Sequence, residues 1–184
     1  MNLAITLAHG SEAEALTREA LRALAASYPL DRYTVTDQVR IEEGAQPHSH
    51  PVLTLNTAER ADPVGLLAQY LHEQMHWMLG TRARTYDPHA LLDALQRAYP
   101  GLPVARPDGS GDRVSTYFHL AVCSLELDPL TTLVGREAAD DTVHRRAQRF
   151  YRAIYALVVE RREDILDRVA RWGGGAFWQP PAPV

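Results

Sequence analysis

The chain has 184 residues, 46% of them hydrophobic and 23% charged, and carries a net charge of −4. That length supports a single domain with a substantial core, and one cysteine, Cys123, excludes an internal disulfide. The acidic balance gives no electrostatic basis for nucleic-acid binding, and no apolar run approaches a membrane span. All 19 basic residues are Arg, so no Lys is available for Schiff-base chemistry. Residues 1–9 lack the basic start and long apolar run of a signal peptide, and a lone cysteine fits a reducing compartment, so the expected location is cytoplasmic.

Taken in order, residues 3–8 read as a short strand. Ser11 and Glu14 then form a capping box at the head of a helix whose buried face comprises Leu16, Ala20, Leu21, Leu24 and Ala25. Tyr33, Val35, Val39 and Ile41 alternate, which predicts a half-buried strand over 33–41. A polar loop over 42–49 leads to a second short strand, 51–57, placed near an edge by Pro51.

Asp62-Pro63 is an N-cap followed by Pro at the first helical position, and apolar residues at helical spacing run from Leu66 to Leu79, with Gly80 as the expected stop. Within this helix lies His72-Glu73-x-x-His76. Residues four apart share a helix face, so the two imidazoles can converge on one metal ion. Glu73 projects beside them, where its carboxylate can take a proton from an attacking water and pass it to a leaving amine. Zinc is the metal expected from this motif and ligand type. His48 and His50, in the polar loop, and His89, in the first turn of the helix opened by Asp87-Pro88, are weaker candidates that solvation alone would account for.

Residues 99–113 are rich in Pro and Gly and read as a long surface loop, a lid or a disordered segment. The apolar stretch 115–127 predicts a buried helix on which His119, Cys123 and Glu126 share one face, with Pro129 ending or kinking it. A buried His and Glu need partners, and a hydrogen-bonded core pair without metal is the structural alternative. From Asp140 a long amphipathic helix is expected, with a break near residues 161–164. A Gly/Pro-rich tail, 173–184, follows the domain 1–172.

An edge strand, the H-E-x-x-H helix and a later helix carrying His119 and Glu126 occur in the order that resembles the zincin superfamily of metallopeptidases. The resemblance covers the middle of the chain and is specific only at His72, Glu73 and His76. The metzincin extension is absent, since Leu79 and Arg82 stand where it has Gly and His, and so is the thermolysin-like second motif. The resemblance implies an α+β fold, with a small mixed or antiparallel sheet packed against about five helices, and a catalytic zinc with three protein ligands. His119 is the preferred third ligand, because it lies nearer the start of its helix, where a loop can open the site. Glu126 is the alternative. They lie about 10 Å apart along the axis, too far to share an ion. A phenol from Tyr117, Tyr151 or Tyr155 could stabilise an oxyanion. The expected function is a zinc-dependent hydrolase cleaving a peptide or protein substrate. The rival is a non-catalytic metal-binding or interaction protein on the same fold. A protein partner or homo-oligomer is compatible with Trp172, Phe177 and Trp178 near the C-terminus.

Overall fold

A computed structural model describes residues 2–174. Most of the tail, with Phe177 and Trp178, lies outside the described residues. Three short strands, β1 (Ala4–Leu7), β2 (Gln38–Ile41) and β3 (Leu53–Leu55), form one sheet in the order β1-β2-β3. Six α-helices pack with it: α1 (Glu12–Ser27), α2 (Pro63–Arg82), α3 (Pro88–Ala98), α4 (Arg113–Val134), α5 (Arg136–Ala147) and α6 (Arg152–Trp172). The class is α+β, and no described helix is long and apolar enough to cross a membrane.

The sheet is parallel throughout, which corrects the mixed or antiparallel expectation. Two connections explain it. Helix α1 returns the chain to the starting end of β1, so β2 must run alongside it in the same direction. Residues 42–52 do the same without a helix. They double back along the outer side of β3, where His48 N–H and C=O pair with Thr54 in an isolated antiparallel bridge (3.1 and 2.8 Å). Both lateral edges of β3 are therefore occupied.

The predicted strand over 33–41 survives only as Gln38–Ile41. Before it, Leu30–Tyr33 form a 3-10 turn. The backbone of Val35 and Thr36 is bound by a side chain, not by a strand: Gln74 Oε1 accepts from both N–H groups (2.8 and 3.1 Å), and Gln74 Nε2 donates to Thr36 C=O (2.7 Å).

Helix α2 is the central element. It is buried on every side from Gly65 to Met75, so its polar residues need internal partners. Gln69 and Asn56 exchange two hydrogen bonds of 3.1 Å, and Tyr70 bonds Thr34 at 2.7 Å. Asp62 caps the start by accepting from Gly65 N–H (3.0 Å). The helix passes through Gly80 and ends at Arg82. Likewise α4 continues through buried Pro129 to Val134, and Gly135 (φ 85°) closes it.

The long helix expected from Asp140 is two, α5 and α6, separated at residues 148–151, and the break foreseen near 161–164 is present as a non-helical Arg161 (φ −122°, ψ 22°). Leu16, expected on the buried face of α1, is 54% exposed, while Leu21 and Leu24 are buried as expected.

Glu14 does more than cap α1. One oxygen accepts from the N–H groups of His9, Gly10 and Ser11 (2.9, 2.8 and 3.4 Å), and the other from Glu43 N–H (3.0 Å), which ties the β1–α1 turn to the end of β2. Burial pushes this carboxyl up, but the four backbone donors hold it below its ordinary value. A group depressed in this way contributes stability above the ordinary Glu value of about 4.3 and loses it as pH falls through the lower folded-state value. Glu14→Gln puts an amide N–H against at least one backbone donor. Its Tm should fall below wild type at neutral pH, and the gap should close as both proteins are melted at progressively lower pH below about 4.3.

Candidate metal centre

Helices α2 and α4 bring His72, His76 and His119 together, with one ring nitrogen of each within 4.8 Å of the others. His72 Nε2 and His76 Nε2 are 3.3 Å apart. Two nitrogens at zinc-bond length on a tetrahedral ion stand about 3.3–3.4 Å apart, so this pair already has ligand spacing.

Two of the three rings have their tautomer set from behind. His72 Nδ1 donates to Glu126 Oε2 (2.8 Å), and His119 Nδ1 donates to Ser115 C=O (2.8 Å), which leaves Nε2 of each ring as the acceptor, that of His72 facing His76 and that of His119 taking the Tyr151 hydroxyl. Burial and the other imidazoles push His76 down to about 2, and burial with His72 pushes His119 down to about 4. Both rings are then neutral near pH 7, the form that binds a metal.

Glu126 thus sits behind His72 and not beside His119. It is fully buried at the junction of α2, α4, α5 and α6. Oε2 accepts from His72 and from Tyr155 Oη (3.0 Å), and Arg146 Nε lies 3.5 Å from Oε1. Oε1 has no hydrogen bond. Arg146 Nε also donates to Tyr155 Oη (3.1 Å), and its guanidinium lies 5.1 Å from the Phe150 ring. Burial alone would raise the Glu126 carboxyl, yet Arg146 and His72 hold it low. The acid is therefore ionised inside the core, paired with a buried cation.

A second group of potential ligands, His72, Cys123 and Glu126, overlaps the first. Burial pushes the Cys123 thiol well above its ordinary value, which disfavours the thiolate a metal needs. His48 is engaged with β3, His50 stacks on Trp77 at 4.1 Å, and His89 lies at the exposed start of α3. None of these three joins a potential ligand group among the described residues. Tyr117 donates to Tyr99 C=O (2.6 Å) and does not line the cleft.

Of the three histidines, His72 lines a cleft of about 280 Å³, together with Glu73, Tyr151 and Arg106. Glu73 is 5% exposed and, among the described residues, accepts no hydrogen bond. Burial raises its carboxyl, a shift opposed by His72 and Arg146. Tyr151 stands across from it, its hydroxyl on His119 Nε2 (2.9 Å). It caps α6 in the left-handed conformation (φ 58°, ψ 34°), which costs about 1–3 kcal/mol for a non-glycine residue and turns the phenol toward the histidines. The first amides of α6 have no side-chain cap. Arg152 and Ala153 N–H donate instead to the carbonyls of Pro107 and Asp108 (3.0 and 3.1 Å), so the 99–113 loop doubles as the helix cap and as one wall of the cleft.

Sequence reasoning passed over Arg146. A signal exists, since Ala139, Val143, Arg146 and Phe150 are spaced as one helical stripe and the first two are buried, which marks the Arg as an inward-facing cation. No comparable signal marks Ser115 or Arg106.

No protein-family model, curated protein or solved structure matches the chain.

Two outcomes test this reading of the interior. Glu126→Leu strands the Arg146 charge and should cost about 3–5 kcal/mol in urea unfolding, whereas Glu126→Leu with Arg146→Met should recover most of it. Gly109→Ala drives a methyl into the backbone of Pro103 and Val104 and should destabilise by about 1–3 kcal/mol in the same assay.

Proposed function

We propose that this protein is a metal-dependent hydrolase of amide or peptide bonds, with zinc held by His72, His76 and His119. The observation that carries the reading is the convergence of three imidazoles, two of them oriented by hydrogen bonds at Nδ1, beside a buried carboxylate without a partner of its own. Ligand number and type suit zinc with a position left for water, as in a zincin-like enzyme, although the parallel sheet departs from the antiparallel edge strand of that superfamily.

When bound, zinc acts as a Lewis acid that makes water more acidic and polarises a carbonyl. Glu73 takes the proton from water as its oxygen attacks the carbonyl carbon. It then gives that proton to the amine as the C–N bond breaks. The buried setting that raises its carboxyl makes it a stronger base than an exposed glutamate. Tyr151 is pushed up to about 12 by burial, so it stays protonated and can turn its O–H from His119 to the developing oxyanion. Glu126 holds the His72 ring and, with Arg146, keeps a fixed charge pair behind it.

Metal analysis of the protein purified without chelator should find about one zinc per chain. Glu73→Gln should keep the metal and lose about 10²–10⁴-fold in kcat on a cleavable amide. His119→Ala should lose the metal, and Glu126→Ala should weaken zinc binding by about 10–100-fold without abolishing it. A wild-type protein that takes up no zinc would overturn the reading. Zinc retained in His119→Ala and lost outright in Glu126→Ala would move the third ligand to Glu126. One zinc with no turnover on any amide would favour a non-catalytic metal-binding protein.

A further inference from the structure

The cleft that reaches His72 is lined by three guanidinium groups, Arg106, Arg146 and Arg149, against two carboxylates, Glu59 and Glu73. The chain as a whole is acidic, with a net charge of −4, so this cation excess is local to the cleft. Two of the three cations are committed. Arg146 is held by Glu126 and Tyr155, and Arg149 pairs with Glu59 at 3.0 Å.

Arg106 is not. Its Nε donates to Ser110 C=O (3.2 Å), and among the described residues no carboxylate pairs with it, which leaves the planar outer edge of its guanidinium without an anion. Its loop is fixed in place. Gly109 and Gly111 N–H bond back to Ala105 and Val104 C=O (2.7 and 2.8 Å), Ser110 N–H bonds Thr116 (3.0 Å), and Asp108 pairs with Arg152 (2.7 Å). Arg106 is exposed at the mouth of the cleft and anchored by its one bond to Ser110 on a braced loop, so binding an anion there orders little backbone.

Size and access narrow the ligand further. A cleft of about 280 Å³ lies at the small end of sites for small molecules, about 300–1,000 Å³. The sheet edge nearest it is closed to an added strand, because β2 takes one side of β3 and His48 takes the other.

We propose that the site takes a small amide bearing a free carboxylate, of the size of an N-acylated dipeptide, and that Arg106 binds that carboxylate as a specificity residue. The inference rests on the hydrolase reading for its chemistry, but its binding component stands without it.

The test compares N-acetyl-alanyl-alanine with its C-terminal amide, by calorimetric titration of Glu73→Gln protein, metal-free and zinc-loaded, and by hydrolysis with zinc-loaded wild type. The free acid should bind about 10–100-fold more tightly than the amide in both metal states, and adding Arg106→Gln should remove that preference by weakening the acid toward the level of the amide. Arg106→Lys should restore part of it, since it keeps the charge and loses the bidentate fork. With wild type, Arg106→Gln should raise KM for the acid more than it lowers kcat. Equal binding of acid and amide, a preference that survives Arg106→Gln, or no detectable binding of either would overturn the proposal. Carboxylate-dependent binding with no hydrolysis would support Arg106 as the anion site and overturn the hydrolase reading instead.

Discussion

A carboxylate buried in the core, Glu126, is tolerable only because three elements answer it at once. Arg146 from α5 lies beside it, Tyr155 from α6 donates to it, and His72 from α2 donates its Nδ1 proton. Removing an ion pair from water is expensive, and the expense is recovered only when geometry and hydrogen bonding are good. The four helices that meet here are therefore held in register by polar contacts as well as by the surrounding aliphatic core. The same contacts aim His72.

That coupling explains the arrangement of the site. The tautomer and ring orientation of His72 come from Glu126, a group with structural duties of its own. His119 is oriented by a carbonyl of its own helix. Tyr151 is turned inward by the break between α5 and α6, and that break is stabilised by the loop at 107–108, which accepts the first amides of α6. The wall of the cleft and the cap of a helix are one piece of chain. Local strain at Tyr151 is balanced by bonds that also define where substrate would enter.

The polar residues of α2 follow the same logic. A helix buried on all sides cannot carry Gln69, Tyr70, His72, Glu73 and Gln74 unless each is answered. Four of the five bind the surrounding loops or Glu126. Glu73 alone among them faces the cleft without a hydrogen-bond partner among the described residues.

Local signals were legible in the sequence wherever the cause is local. The capping box at Ser11 and Glu14, the Asp-Pro starts of α2 and α3, and the Gly135 stop depend on neighbours a few residues away, and the structure has each of them. The spacing of His72, Glu73 and His76 belongs to the same class, since one turn of helix decides it. Strand direction does not. It depends on where a connection returns the chain, so the sheet expected to be mixed or antiparallel is parallel, and the strand expected over 33–41 yields at Val35 to a glutamine 39 positions away. The roles of His119 and Glu126 were equally open on their helix, where both share one face. Only the packing of α4 against α2, α5 and α6 set one beside His76 and the other behind His72, because that choice is made by the rotation of one helix against three others and no single segment records it.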